Sequence, residues 1–266
     1  MSEMKLWEFP CEFHQAGGLF RYLPDRVGNQ TLYMRIKMYR RVPEISDVFK
    51  AFILCVLEEC DTANRGRGTA VIFDLSQCGI QNVDLGFLYW LLNSFRNYCP
   101  KGVSYILVYN LPWFMSATCK LAMTWLSETN RRSLRFVRGE EIENYIAREN
   151  LPDYLGGTCK RSYRIVPKGA RPATEVCGRL NMTQQQALKI KELFKEYLKE
   201  PSVGETEAEE EEEVKFMTKS QQHESLDHTP SSTLAVSSSQ LARNSSSDSL
   251  VPVVDLVTKA SKFIAQ

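Results

Sequence analysis

Val71-Ile-Phe-Asp-Leu75 and Tyr105-Ile-Leu-Val-Tyr109 decide the fold of this chain. Each stretch is short, almost continuously apolar and rich in β-branched or aromatic residues, as expected for a strand that is buried on both faces. Segments with helical periodicity lie beside both stretches, and an alternation of strands and helices favours a largely parallel sheet. The sequence therefore predicts an α/β domain with a buried central sheet.

Turn signals and periodicity place the remaining elements. Gly28-Asn29 precedes an alternating segment, Pro43 opens a helix, and Pro100-Lys-Gly102 ends another. Gly156-Gly157 predicts a tight turn, and Thr183 is a suitable N-cap for a separate amphipathic helix. We expect strands over 32–36, 69–75, 105–109 and 134–137, and helices over 43–60, 83–98, 112–127, 140–148 and 183–199.

Charge is distributed unevenly along the 266 residues. Residues 201–266 hold 11 acidic and 5 basic side chains, and the totals of 32 and 33 leave 21 acidic and 28 basic side chains in residues 1–200. A modest basic excess suits an anionic membrane surface, but no basic run carries the aromatic pattern of a nucleic-acid binder. We predict a folded domain over 1–165, a linker and amphipathic helix over 166–200, and an acidic, Ser-rich disordered tail over 201–266.

Several function classes are disfavoured by the residues present. The eight cysteines form no Cys-x-x-Cys pair, so we expect buried thiols in a reducing compartment. His14 is the only histidine before the tail, which argues against a zinc site and against a serine nucleophile with a histidine base. We therefore expect no metal, no catalytic residue, no enzyme activity and no cofactor apart from a lipid ligand. No apolar run reaches the roughly eighteen residues of a membrane span.

The predicted helix over 112–127 carries apolar residues on more than one face. One apolar stripe is enough to pack a helix on a core, so the surplus surface must face something else. A bound acyl chain is one candidate for that partner. An ordinary core helix that is packed on both sides is the alternative.

Three motifs resemble the CRAL-TRIO lipid-binding family: Val71-Ile-Phe-Asp-Leu-Ser76, Asn110-Leu-Pro-Trp-Phe114 and Asn150-Leu-Pro-x-x-Leu-Gly-Gly157. The resemblance covers roughly Trp7 to Tyr163 and is greatest to the CRAL-TRIO domain of motile sperm domain-containing proteins, which are endoplasmic-reticulum contact-site tethers. It implies a mixed, mostly parallel sheet flanked by helices around an apolar pocket. It also implies that the segment from Pro112 to about Thr129 is a mobile lid, which would hide the lipid tail from water.

With the resemblance, pocket lining becomes the better interpretation of the apolar side chains. The candidate pocket residues are Phe73, Phe87, Trp90, Leu91, Phe95, Leu107, Trp113, Phe114, Met115, Leu121 and Trp125. Four arginines after the lid segment, Arg131, Arg132, Arg135 and Arg138, are candidates for contact with lipid headgroups or a membrane; a solvated basic face is the alternative.

The chain departs from the family pattern in three ways, one of which is that it ends without the major sperm protein domain or the membrane anchor of the tethers. It begins about thirty residues before the first predicted strand, which implies that most of the N-terminal helical subdomain is missing. The fungal phosphatidylinositol-transfer members hold the inositol phosphate with a Glu, a Thr and a Lys, and Lys101, Asn130 and Ser133 stand at the corresponding positions here. We therefore expect no exchange of inositol lipids by that residue set.

The acidic run Glu205 to Glu213, followed by Lys215-Phe-Met-Thr218, weakly resembles the motif that binds major sperm protein domains, with Phe216 and Thr218 in the matching places. An acidic linker with no partner is the alternative. The leading hypothesis is a cytoplasmic, non-enzymatic protein that binds and transfers or senses a hydrophobic lipid, in peripheral contact with organelle membranes at the endoplasmic reticulum or lipid droplets. The rival hypothesis is an interaction or organelle-contact module with a non-functional pocket.

Overall fold

The computed structural model describes residues 4–63, 68–99 and 102–198. Within them a five-stranded sheet has the order β1–β2–β3–β4–β5, with β1 antiparallel to β2 and the other neighbours parallel. The expected mixed, mostly parallel sheet is confirmed. The predicted tail over 201–266, with Phe216 and Thr218, lies outside the described residues. The strands are β1 (Leu19–Tyr22), β2 (Gln30–Arg35), β3 (Thr69–Asp74), β4 (Val103–Tyr109) and β5 (Leu134–Val137).

Helices connect the parallel strands, as a parallel sheet requires. Two of the described helices begin at side-chain caps: Asp84 accepts a hydrogen bond from the Phe87 backbone N–H, and Thr183 accepts one from the Gln186 backbone N–H. The second of these caps confirms the prediction for Thr183. The helices are α1 (Cys11–Ala16), α2 (Ser46–Ala63), α3 (Leu85–Tyr98), α4 (Ser116–Thr124), α5 (Glu128–Arg132), α6 (Ala173–Val176) and α7 (Gln184–Phe194).

Successive side chains of each strand point to opposite sides of the sheet. Each face of the sheet packs into its own apolar core. On the first face, Val71 and Phe73 of β3 pack with Ile106 and Val108 of β4 in a core that includes α2 and α3. On the second face, Ile72 packs in a separate core with other strand residues, among them Tyr33, Leu107 and Tyr109. This division leaves the helices and the cavity described below on the first face alone.

The second face is covered by an irregular segment after β5. The predicted helix over 140–148 is wrong: short 3-10 helices occupy Gly139–Asn144 and Arg148–Asn150 instead. Three apolar residues, Ile142, Ile146 and Ala147, are buried in this stretch, and contacts with the second face rather than the local helical pattern determine its backbone. The Tyr22 hydroxyl donates a hydrogen bond to the Arg161 carbonyl at 2.7 Å and fastens the end of the segment to β1.

The described part of residues 166–198 packs into the same core as the first face. Ala173, Ile190 and Phe194 belong to that core, and the rings of Phe194 and Phe13 meet edge to face with centroids 5.8 Å apart. The sequence predicted α7 but neither α1 nor β1. Leu188 of α7 is 56% exposed.

Candidate functional site

An apolar cavity of about 110 Å³ lies between the first face of the sheet and helices α3 and α4. Side chains from three layers enclose it: the strands beneath, α3 on one side and α4 above. The lining residues are Ile36, Tyr39, Phe73, Leu75, Asn82, Val83, Asp84, Phe87, Leu88, Leu91, Leu92, Ile106, Val108, Leu111, Met115, Thr118, Cys119, Ala122, Met123, Leu126 and Leu134.

The spacing of the lining residues follows from the elements that carry them. Phe73 faces the cavity because it alternates with Ile72, which lies on the second face. On α4, Ala122 and Met123 lie one turn after Thr118 and Cys119, so these four positions share one helix face. Ordinary strand and helix periodicity thus directs an almost wholly apolar set of side chains into one space.

Three polar residues of the cavity wall, Tyr39, Asn82 and Asp84, are hydrogen-bonded to one another or to the backbone. The Tyr39 hydroxyl donates a hydrogen bond to Asp84 Oδ2 at 2.8 Å, and Asn82 Nδ2 donates to the carbonyls of Lys37 and Tyr39 at 3.0 and 2.8 Å. Burial and the hydrogen bond to Asp84 raise the pKa of the Tyr39 hydroxyl, which stays protonated and neutral. These groups fix the shape of the cavity wall, and the arrangement is suited to binding by shape and apolar contact.

Helix α4 covers the cavity without being held in a core. None of its nine side chains is fully buried, whereas Leu91 of the neighbouring helix α3 is completely enclosed. The Arg131 Nε donates a hydrogen bond to the Met123 carbonyl at 3.2 Å and so links α5 to the last turn of α4. Helix α4 is therefore the least enclosed wall of the cavity.

The structure brings four of the eleven predicted pocket residues to the cavity wall: Phe73, Phe87, Leu91 and Met115. Phe95 and Trp90 stand directly behind that wall, with ring centroids 6.2 Å from Phe73 and 5.6 Å from Phe87 respectively. The cavity contains no other predicted side chain.

The five remaining predicted residues lie elsewhere. Leu107 is on the second face of the sheet, because it alternates with Ile106 and Val108 along β4. Trp113 is 86% exposed, Phe114 packs against the edge of the first-face core, and Leu121 is half-buried on α4. Trp125 packs against Tyr89 with ring centroids 5.3 Å apart.

Sequence reasoning missed most of the smaller lining residues. Leu88 and Leu92 lie beside Phe87 and Leu91 on α3, and their spacing of four residues carried that information. Ala122 and Met123 on α4 were passed over in favour of the larger aromatic residues nearby. An apolar helix face predicts lining better than side-chain size does.

The four candidate arginines are exposed and lie on or next to α5 and β5. Arg132 pairs with Glu128 one turn before it, and Arg138 follows the last residue of β5. Asn130 is also exposed, and Lys101 lies outside the described residues. Near the start of α4, Trp113 presents a large exposed apolar side chain.

A second recess, of about 390 Å³, adjoins the cavity. It lies between the segment that joins β2 to α2, the first turn of α3 and the end of α7. Three of its lining residues, Tyr39, Asp84 and Phe87, also line the cavity, so the two spaces share a wall. We call it the basic groove; its lining consists of Met38, Tyr39, Arg40, Arg41, Val42, Pro43, Ile45, Ser46, Phe49, Lys50, Asp84, Gly86, Phe87, Leu193 and Phe194.

The cysteines of the described region are mostly buried. All eight cysteines are free, and burial raises the pKa of the Cys60 thiol to about 12. Within residues 4–63, 68–99 and 102–198, no group of three or more His, Cys, Asp or Glu side chains could hold a metal ion. In the same ranges no helix has both the length and the apolar character needed to cross a bilayer.

Comparison with known proteins identifies relatives of this chain. The sequence model described as the CRAL/TRIO domain matches residues 14–157. A phosphatidylinositol transfer protein, CSR1 of Eremothecium gossypii, is 21% identical over 157 residues, which cover 55% of this chain and 35% of that protein. The CRAL-TRIO domain-containing protein C3H8.02 of Schizosaccharomyces pombe is 24% identical over 146 residues, which cover 54% of this chain and 33% of that protein.

Each of these matches thus spans about a third of the relative's own length. Among solved structures, the crystal structure of Sfh5 is similar with a TM-score of 0.45 at 14% identity, covering 65% of this chain and 64% of that chain.

Proposed function

The chain belongs to the CRAL/TRIO domain family, and we propose on that basis that it binds one hydrophobic lipid and transfers or senses it without catalysing a reaction. The observation that supports this function best is the apolar cavity between the sheet, α3 and α4. Tyr39, Asn82 and Asp84 are already hydrogen-bonded within the wall, so an acyl chain could enter without leaving these three unpaired.

Entry of a lipid requires a change in the cavity. A space of about 110 Å³ is smaller than the roughly 150 Å³ cavity that holds a single benzene in an engineered protein. An acyl chain with many methylene groups therefore needs one wall to move outward. Helix α4 is the wall that would move, because none of its side chains is fully buried.

Peripheral contact with membranes is the second part of the proposal. Trp113 at the start of the α4 segment is 86% exposed, and Phe136 on the edge strand β5 is 49% exposed. A tryptophan with one apolar and one polar end is suited to the headgroup region of a bilayer. The exposed Arg131, Arg132, Arg135 and Arg138 would add attraction to anionic lipids.

The identity of the lipid is a separate matter. The name of one relative says that it transfers phosphatidylinositol. In this chain Lys101, Asn130 and Ser133 stand where the family resemblance implies the Glu, Thr and Lys that hold the inositol phosphate in fungal members. We therefore propose a lipid other than phosphatidylinositol. The location at the endoplasmic reticulum or lipid droplets and the closer likeness to motile sperm domain-containing proteins stay predictions.

Native mass spectrometry of the purified full chain tests this function. The wild type is expected to carry one dominant co-extracted lipid. Ala122→Trp places a large side chain in the cavity and is expected to remove most of that lipid, with folding checked by circular dichroism. Ala117→Trp is the matched control, because Ala117 is exposed on the same helix and outside the cavity lining.

Equal lipid content in the two variants would contradict binding in this cavity. A folded wild type that carries no lipid and takes none up from vesicles would favour the interaction module with a non-functional pocket.

A further inference from the structure

The basic groove differs from the lipid cavity in its charge. Arg40, Arg41 and Lys50 line it, and Asp84 is the one carboxylate among its lining residues. Arg41 Nε lies 3.9 Å from Asp84 Oδ2, and the Arg41 side chain is 78% exposed, so it is open to a further acidic partner. The groove therefore has a net positive lining and suits an anionic occupant.

Two of the cations are held in position by contacts with neighbouring groups. Arg40 Nη1 donates hydrogen bonds to the carbonyls of Lys37 and Tyr39, at 2.7 and 2.9 Å. The Lys50 ammonium lies over the indole of Trp90, 5.5 Å from the ring centroid. Side chains that are already ordered lose less rotamer entropy when they bind an anion.

The chain itself carries an acidic segment that follows the groove-lining end of α7 closely in sequence. Leu193 and Phe194, at the end of α7, are part of the groove lining, and the described chain ends four residues later at Leu198. Residues 205–213, Glu-Thr-Glu-Ala-Glu-Glu-Glu-Glu-Glu, follow after a short stretch. An extended chain covers about 3.3 Å per residue, so the connection of residues 199–204 reaches roughly 20 Å, enough to return to the groove.

We propose that residues 205–213 dock in the basic groove. Charge complementarity and the short connection both favour this occupant over a separate acidic protein, because a short tether holds the segment at an effective concentration in the millimolar range. The contact pairs the glutamates with Arg40, Arg41 and Lys50. It is independent of whether the neighbouring cavity holds a lipid.

Docking would also bear on the lipid site. The groove and the cavity share Tyr39, Asp84 and Phe87, so a segment in the groove covers the outer side of a cavity wall. It would also neutralise part of the basic surface that an anionic headgroup or membrane could use. The acidic segment thus competes with other anions for the basic groove.

Zero-length carbodiimide cross-linking of the full chain, read by mass spectrometry, tests the proposal. This reagent joins a lysine amine directly to a carboxylate, and we expect Lys50 to be joined to glutamates of 205–213. The yield is expected to fall about fivefold or more between low and high salt, since salt screens such contacts. A mixture of isotope-labelled and unlabelled chains is expected to give products within single chains only.

The variant Arg40→Gln/Arg41→Gln is expected to lower the Lys50 cross-link about fivefold or more. The control Lys168→Gln/Arg171→Gln removes the same charge from exposed positions outside the groove and is expected to leave the yield unchanged.

Two results would overturn the proposal. One is that cross-links are spread equally over Lys50, Lys160 and Lys168, and the other is that the two variants give an equal yield. Products that join labelled to unlabelled chains would show instead that the segment docks on a second copy. None of these results depends on bound lipid. The experiments can therefore disprove lipid binding without disproving the docking of residues 205–213, and they can disprove the docking without disproving lipid binding.

Discussion

Arg35 and Asp74 are direct partners across the parallel strands β2 and β3, and their side chains form an ion pair, Nε to Oδ2, of 4.0 Å inside the protein. Both side chains are almost completely buried. Arg35 Nη1 also donates a hydrogen bond to the Tyr163 hydroxyl at 3.1 Å, and its guanidinium lies over the Tyr154 ring, 4.0 Å from the centroid. The pair therefore ties the irregular segment after β5 to the centre of the sheet.

Removal of Arg35 is expected to be strongly destabilising. Arg35→Leu leaves the Asp74 carboxylate buried without its cation, and we expect the free energy of unfolding to fall by about 3 kcal/mol or more, measured by urea denaturation. Arg21→Leu is the comparison, since Arg21 and Glu59 form a partly exposed pair, for which a loss below about 1 kcal/mol is expected. The double variant Arg35→Leu/Asp74→Leu should recover part of the unfolding free energy that Arg35→Leu loses. Equal losses for Arg35→Leu and Arg21→Leu would contradict a special role of the buried pair.

The close approach at Gly157 gives a second prediction. A Cβ atom on Gly157 would lie 1.9 Å from the Leu151 carbonyl oxygen, so Gly157→Ala must displace backbone that covers the second face. We expect a loss of about 2 kcal/mol or more and a lower melting temperature. Gly178→Ala meets no atom within 4 Å and should change the melting temperature little. A stable Gly157→Ala variant would show that this turn is loosely packed.

The sequence predicted the parallel strands better than their surroundings. β3 and β4 were predicted because runs such as Ile72-Phe73 and Ile106-Leu107 are apolar on both faces. β1 was missed because it has four residues and gains its stability from pairing with β2 and from rings such as Phe20, which stacks on Tyr33 with centroids 5.1 Å apart. Such stabilisation depends on contacts distant in sequence, which local patterns do not contain.

His14 predicts a dependence of stability on pH. Burial lowers the pKa of His14 to about 4, although its hydrogen bond with the Leu6 carbonyl acts in the opposite direction. In the unfolded chain the pKa is about 6.5, so as the pH falls below 6.5 the unfolded state binds a proton that the folded state does not. The free energy of unfolding is therefore expected to fall between pH 6.5 and 4, by about 3 kcal/mol in total.

Urea denaturation at pH 7.5, 6.0 and 5.0 measures this effect. The variant His14→Gln keeps a neutral donor at the site and should show a shallower decline over that range, even if its stability at pH 7.5 is lower. Parallel curves for wild type and variant would mean that other groups cause the decline.

Trp113 carries the prediction for membrane contact. Trp113→Ala should weaken binding to vesicles of phosphatidylcholine and phosphatidylserine about thirtyfold, because insertion of a large apolar side chain is worth about 2 kcal/mol. The unfolding free energy should stay unchanged, since the side chain is 86% exposed. Leu188→Ala, at an exposed leucine on α7, is the control and should leave vesicle binding unaltered. Equal sedimentation of wild type and Trp113→Ala with vesicles would exclude Trp113 as an anchor.

The candidate site was less predictable than the sheet. Phe73 and Leu91 could be predicted as wall residues because their elements are strongly periodic. Leu107 and Trp113 were included for their apolar character. Leu107 lies on the other face of the sheet, because a shift of one residue along a strand reverses the direction of the side chain. Trp113 precedes α4 and its side chain is exposed to solvent. The basic groove joins Arg40, Lys50 and Phe194, which are far apart in sequence. Composition alone gave no sign of it.

The absence of a fully buried side chain on α4 bears on the rate at which a cargo could leave. A segment held by few enclosed groups opens by local fluctuation, at a small fraction of the free energy needed to unfold the whole domain. Amide hydrogens of α4 should thus exchange with solvent far sooner than those of β3, whose six residues are all buried. The lifetime of a bound cargo would then be set by one short helix, while the domain around it stays folded.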